Sequence, residues 1–159
     1  CETMNDSWGF NITDKNYKSV KGLIHYIINA ASRNANFLLN VGPMPDGTIQ
    51  PEFTDTLKAI GNWMALNGET IYGTRGNIVK TQDWGVVTGN DKILYVHILQ
   101  TPKQAGYIFI PEFKSKILKC SLFNGSSSLK FKQQPEGLFI YTDGLKFDPV
   151  DTIISLQIQ

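Results

Sequence analysis

Asn40 is the residue whose neighbours best place it to do chemistry. It lies in the short apolar run Phe37-Leu38-Leu39-Asn40-Val41, ahead of the turn cluster Gly42-Pro43-Met44-Pro45-Asp46-Gly47. That pattern is the one by which a buried parallel strand delivers a polar side chain to the mouth of an α/β sheet or barrel. A carboxamide there can hydrogen-bond a hydroxyl or orient a neighbouring carboxylate; equally, it can cap the following turn through an Asx-type bond. Glu2 is a lone carboxylate, open to acid–base work and to the plainer role of an ion pair or rim charge. Asp46 precedes Gly47 in a turn-forming pair, which reads as structural. His25 beside an apolar helix face and His97 in a strand have no partner at ligand spacing and read as packing histidines.

Other chemistries find little support. Cys1 and Cys120 lie far apart without C-x-x-C spacing, so neither a metal site nor a disulfide scaffold is indicated. Gly42-Pro43 with Gly47 forms neither G-x-G-x-x-G nor G-K-[ST], and no phosphate cradle is expected. A net charge of +1 with scattered Lys and Arg offers no track for nucleic acid or an acidic membrane, and Lys114, Lys116 and Lys119 beside Glu112 read as a solvated strand edge. No run approaches the ~20 apolar residues that cross a bilayer. The first residues do not resemble a signal peptide, and a start at Cys1 reads as a processed or excised chain. Asn5-Asp6-Ser7, Asn11-Ile12-Thr13 and Asn124-Gly125-Ser126 are formal glycosylation sequons, common by chance.

The elements that must position these residues change character near Gly73. Val20, Leu23, Ile24, Ile27, Ile28 and Ala31 recur at helical spacing, with Ser19 as N-cap and Asn34 as the stop. A second helix carries Phe53, Leu57, Ile60 and Met64, with Pro51 in its first turn and Asn67-Gly68 at its end. With a strand near Trp8 and another over Phe37 to Val41, the order is that of βαβ units. Beyond Gly73 the period becomes two. Strands are expected at 93–99, 107–110, 117–123, 129–131, 138–141 and 153–158, with turns at Thr88-Gly89-Asn90-Asp91 and at the Gly125–Ser128 tip; together they suggest a small antiparallel sandwich. Trp63 and Trp84 read as core or domain-interface aromatics. A closed (β/α)8 barrel needs ~250 residues. The first 73 are therefore either a small independent α/β layer or the last portion of a barrel whose other strands lie elsewhere.

Cys1-Glu2-Thr3-Met4-Asn5-Asp6-Ser7-Trp8-Gly9-Phe10, Tyr17-Lys18-Ser19, Phe37 to Pro43, Asp46-Gly47-Thr48-Ile49, Ile60-Gly61-Asn62-Trp63 and Asn67 to Thr74 together resemble the C-terminal part of the α-L-fucosidases of glycoside hydrolase family 29. The resemblance implies the last two βα units of a (β/α)8-type barrel over 1–73, followed by a C-terminal β-sandwich over 74–159. It implies retaining hydrolysis of terminal α-L-fucosides by two carboxylates ~5 Å apart, with no metal or cofactor. Both carboxylates, an Asp nucleophile and the acid/base, are expected upstream of Cys1, with Glu2 a weak candidate within the chain. Trp8 matches an aromatic position that packs against the fucose ring in the family; its alternative is a core indole. Asn40 is the second substrate-binding candidate, and Glu2 lies close enough in sequence to line the same mouth. The implied partners are a fucosylated glycan and the rest of the barrel, from the same parent polypeptide or a second chain. An incomplete sheet also leaves apolar faces on which a homo-oligomer could form. The implied compartment is periplasmic or extracellular in a bacterium and lysosomal in a eukaryote. The alternative reading is a non-catalytic carbohydrate-binding or scaffold module, with Tyr107, Phe109, Phe113, Phe139 and Tyr141 available in the β half.

Overall fold

A computed structural model describes residues 1–125 and 127–159. The chain begins with β1 (Glu2–Thr3), α1 (Val20–Ala31), β2 (Leu39–Asn40) and α2 (Pro51–Asn67), the last running into a 3-10 turn over Gly68–Thr70. Seven strands follow: β3 (Gly85–Gly89), β4 (Ile93–Ile98), β5 (Tyr107–Pro111), β6 (Ile117–Leu122), β7 (Phe131–Gln134), β8 (Gly137–Tyr141) and β9 (Thr152–Ile158).

Both helices have the ends their sequences call for. Ser19 caps α1 by accepting the Gly22 N–H at 3.1 Å. Past its last turn the chain reverses through Asn34 at φ 55°, a left-handed residue that asparagine tolerates. Pro51 opens α2, where its missing N–H costs nothing. Gln50 stands at the N-cap but leaves it uncapped, donating instead to the Tyr17 hydroxyl at 3.0 Å. Gly68 ends α2 in a right-handed conformation, φ −59°, so its lack of a side chain serves packing: a Cβ there would sit 2.9 Å from the Tyr72 ring.

β1 and β2 pair in parallel, Glu2 with Leu39 and Thr3 with Asn40, with α1 as the crossover. The rest of the sheet structure is antiparallel, in the orders β3-β4-β9-β6 and β5-β8-β7. One core lies between those two sheets. Val87, Leu94, Val96, Ile98, Ile154 and Leu156 face Ile108, Ile110, Leu138 and Ile140. A second core packs Met4, Leu23, Ile24, Ile28, Phe53 and Ile60 against Val86, on the other face of β3, and Leu99, just past β4. The β3–β4 half of the sheet is thus covered on both sides, while β6 leaves Leu118 exposed. Trp84 belongs to the first core and Trp63 borders the second.

At this seam lies a chain of buried polar groups. Thr88 in β3 has one hydroxyl proton, which it donates to the Thr70 carbonyl at 2.6 Å. Its oxygen, 3.0 Å from His97 Nε2, therefore accepts from that nitrogen. His97 Nδ1 faces Asp151 Oδ2 at 2.7 Å, with one proton shared between them, and neither side chain is exposed to solvent. From α1, His25 Nε2 meets the Val150 carbonyl at 2.7 Å. Both histidines are satisfied, and His97 joins three segments of the chain.

The structure corrects several expectations. No strand runs near Trp8, where the chain bends; the first strand is Glu2–Thr3. Of Phe37 to Val41 only Leu39–Asn40 is strand, because the Phe37 ring stacks on Tyr26 at 6.3 Å and Leu38 stays exposed. Gly85–Gly89 is a strand where the sequence suggested a turn at Thr88-Gly89, and every one of its residues is buried. The hairpin turn falls one step later, held by the Asn90 carboxamide accepting the Lys92 and Ile93 N–H groups at 2.9 and 3.0 Å. β7 falls at Phe131–Gln134 rather than 129–131. Cys1 is exposed and Cys120 buried, both as free thiols, and burial pushes the Cys120 thiol up to about 12. The Gly125–Ser128 tip and the third sequon include Ser126, which lies outside the described residues.

Removing His97 leaves the Asp151 carboxylate without its imidazole in the seam. His97→Ala is expected to cost about 3–5 kcal/mol, the scale for breaking a buried pair by removing one partner. Urea unfolding followed by circular dichroism reads this as a lower midpoint; an unchanged midpoint would mean that the seam tolerates the unpaired carboxylate.

Candidate functional site

The carboxyl ends of β1 and β2 open into two loops that meet. After β1 the chain makes a compact excursion from Asn5 to Tyr17 whose neck Lys18 closes. The Lys18 backbone N–H donates to the Met4 carbonyl at 2.9 Å, and its ammonium donates to Thr3 Oγ1 at 3.0 Å and to the Asn5 carbonyl at 2.8 Å. Close ends around a self-packed loop are the marks of an Ω-loop. Inside it, one oxygen of Asp14 accepts the Ser7 hydroxyl at 2.7 Å and the Asp6 N–H at 3.1 Å, while the other accepts the Asn16 N–H at 3.1 Å. The Ser7 hydroxyl, helped by those amides, holds the Asp14 carboxyl below the usual aspartate range. Asn5 is buried with its carboxamide on the Ser7 N–H, whereas Asn11, of the second sequon, is exposed.

Trp8 stands on this loop with 61% of its surface exposed. That places the indole outside both hydrophobic cores of this chain. Its backbone is fixed from β2: Asn40 Nδ2 donates to the Trp8 carbonyl at 2.6 Å. Two residues on, the loops touch at Gly42, where a Cβ would lie 2.6 Å from the Gly9 carbonyl carbon and 2.7 Å from the Phe10 nitrogen. Asn40 and Gly42 therefore clamp the segment Trp8–Phe10 from one side, and the indole projects from a held backbone. Neither reading of Asn40 offered by the sequence, cap of its own turn or group for a hydroxyl, describes this bond to a neighbouring loop.

Glu2 is engaged at the base of the same loops. Its Oε1 accepts the Thr3 N–H at 3.1 Å and pairs with Lys18 at 3.1 Å. The Thr3 N–H and then Lys18 lower its pKa, favouring the ionised form. Asp46 Oδ1 accepts the Thr48 N–H at 3.0 Å and the Thr48 hydroxyl at 2.8 Å, which closes the Met44–Thr48 turn around Gly47 at φ 85°. His25 and His97 lie in the seam. Lys18 and Asp14, the residues that shape the loop, carried no chemical signal in the sequence beyond the place of Lys18 in a motif.

A surface cleft of about 730 Å³ lies elsewhere. It is lined by Ala30, Phe37, Tyr72 and Arg75 and lies at the amino end of β2 and the carboxyl end of α1. Ligands of parallel α/β sheets bind beyond the carboxyl ends of the strands, which favours the Trp8 rim over this larger cleft.

Residues 1–69 match the family model described as alpha-L-fucosidase. The tissue alpha-L-fucosidase of Bos taurus is 28% identical over 134 residues, which cover 82% of this chain and 29% of the bovine protein. The chain belongs to the α-L-fucosidase family. It spans less than a third of the length of that relative. Alpha-L-fucosidase isoenzyme 1 from Paenibacillus thiaminolyticus superposes with a TM-score of 0.87 at 28% identity, covering 99% of this chain and 39% of that one. The Thermotoga maritima alpha-fucosidase in complex with a mechanism based inhibitor gives 0.80 at 26% identity, covering 98% and 38%. The family match takes in every residue of the Trp8 rim, and the structural matches extend through both antiparallel sheets.

Two outcomes follow from the rim. An Asp14 carboxyl held below its ordinary range keeps the loop closed at and above about pH 4, the unperturbed aspartate value, and releases it as pH falls through the lower native value. The Trp8 indole N–H resonance is expected to hold its position down to that point and then move, while Asp14→Ala moves it already at pH 7; a resonance indifferent to the substitution would contradict the account. Gly42→Ala is expected to displace Trp8–Phe10 and cost about 1–3 kcal/mol by overpacking, seen as shifts at Asn40 and Trp8 with the strand amides of β4 and β9 unmoved.

Proposed function

We propose that this chain supplies one wall of the fucose pocket of an α-L-fucosidase, with Trp8 as the ring that meets the sugar and Asn40 as the group that holds it there. The observation that carries the reading is an exposed indole on a backbone clamped at the carboxyl end of a parallel strand pair. Fucose presents a face of C–H groups and a C6 methyl, and such a face stacks on π density while its hydroxyls remain free for hydrogen bonds. Residues 1–73 would form the last two βα units of the (β/α)8 barrel, as the parallel β1–α1–β2 crossover suggests, and 74–159 the sandwich behind them. The rest of the barrel, from the same parent polypeptide or a second chain, would cover the open edges of β1 and β2.

The reaction proposed for the parent is retaining cleavage of terminal α-L-fucosides. One carboxylate attacks the anomeric carbon and a second protonates the leaving oxygen, then takes a proton from the incoming water. The nearby carboxylates of this chain are poorly suited to either part. Glu2 is committed to Lys18 and the Thr3 N–H, Asp14 to its loop and Asp46 to its turn. All three have their pKa lowered, whereas an acid catalyst needs one raised. Nucleophile and acid/base are therefore assigned to the part of the parent outside this chain. The solved relative with a mechanism based inhibitor supports hydrolysis rather than a non-catalytic module.

Hydrolysis of 4-nitrophenyl α-L-fucoside tests this. The parent polypeptide is expected to release nitrophenol and the isolated chain to release none. Turnover by the purified chain would place a competent carboxylate pair within it, and an inactive parent would remove the assignment altogether.

A further inference from the structure

The three-stranded sheet carries more aromatic surface than its fold requires. Its inner face, with Ile108, Ile110, Leu138 and Ile140 almost wholly buried, supplies its share of the sandwich core. One apolar face suffices for an antiparallel sheet. Yet the outward positions hold Tyr107 opposite Tyr141 and Phe109 opposite Phe139. Tyr107 and Phe109 both contact the Phe139 ring, with centroids at 5.6 and 4.5 Å and planes tilted by 55° and 35°, so the half-buried rings form one contiguous cluster. Phe113, by contrast, is buried in the core. Single exposed aromatics need no explanation; a contiguous row on a solvent-facing sheet does.

Tyr107 and Phe109 also line a cleft of about 280 Å³, with Asp83, Lys103 and Gln104 around it. That volume lies near the lower end of small-molecule sites, ~300 Å³. The charges balance, since Lys103 pairs with Asp83 at 3.3 Å. The cleft thus offers a carboxylate acceptor, an ammonium donor and an amide with both, without a field that selects ions. Ring faces beside balanced hydrogen-bonding groups complement a neutral, hydroxyl-rich molecule with an apolar face, which is the chemistry of a pyranose. An anionic polymer would meet a paired lysine, and a hydrophobic protein segment would have to bury an ion pair and an amide.

We propose that the outer face of β5 and β8, with this cleft, is a second glycan-binding site that takes the neutral hexose portion of a glycan, apart from the Trp8 rim. The proposal rests on the reading of the chain as part of a glycan-processing fucosidase. It gives the sandwich a role in holding the chain from which fucose is removed.

The test is a pair of NMR titrations of the isotopically labelled chain, with N-acetyllactosamine and separately with L-fucose, at millimolar sugar. N-acetyllactosamine is expected to shift the amides of Gln104 and Tyr107 to Phe109 and the ring signals of Phe139 in a saturable way. Phe139→Ala should weaken that binding about tenfold, on the scale of a lost stacking partner. Should that variant unfold, the exposed changes Lys103→Ala and Gln104→Ala should each weaken it severalfold with the strand amides undisturbed. Absence of saturable shifts on β5 and β8, or shifts that survive all three substitutions, would overturn the proposal. Fucose moving Trp8 signals while N-acetyllactosamine leaves β5 unmoved would sink the second site and leave the proposed function standing. The reverse pattern would keep the second site and count against the Trp8 rim, and fucose alone moving β5 would overturn the assignment to hexoses.

Discussion

β3 and β4 of the four-stranded sheet are buried on both faces, and everything else in the chain depends on that. One face closes the sandwich core and the other receives α1, α2 and Met4 through Val86 and Leu99. A sheet in that position must satisfy every polar group that its sequence puts inside. Thr88, His97 and Asp151 do so by bonding to one another and to the Thr70 carbonyl after α2, with Asp151 Oδ1 the one exception among the described residues. Proton bookkeeping fixes Nε2 of His97 as a donor, so the link has a direction as well as a place. Apolar contact between layers would allow sliding, whereas this chain of bonds sets one register for the helical layer on the sheet.

That register matters for the rim. β1 and β2 are two residues long, far too short to hold a site by pairing alone. Their position comes from Met4, Leu39 and Val41 packing onto the helices. The loops beyond them are then fixed by charge and contact: Lys18 at the neck, Asp14 within, Asn40 and Gly42 from the side. An exposed Trp8 on a rigid backbone is the outcome. Ordering of the loop is already met in folding, so a ligand stacking on the indole loses less to immobilisation.

Much of this was legible in the sequence where local rules act. Ser19 and Pro51 mark the helix starts, and Ile93 to Ile98 declares itself by β-branched and aromatic content. β3 was not legible, because its Gly-Val-Val-Thr-Gly sequence is buried on both faces and shows no alternation. Phe37 looked like strand because its apolar character suits one, yet its ring serves a contact with Tyr26. The partnership of His97 with Asp151 spans 54 residues and follows no motif. At the rim, residue type and place mark Trp8 and Asn40, but the bond between them joins residues 32 apart and neither spacing nor composition announces it. The outward parity of Tyr107, Phe109 and Phe139 likewise needed the register of β5 on β8.

The central claim is that the Trp8 indole forms a wall of a fucose pocket. A crystal structure of the parent polypeptide with a fucose-shaped iminocyclitol bound addresses it most directly. The account predicts the indole face in van der Waals contact with the ring and methyl of the ligand, at about 4 Å, with the Asn40 carboxamide still on the Trp8 carbonyl. An iminocyclitol bound with no contact to the indole would contradict it.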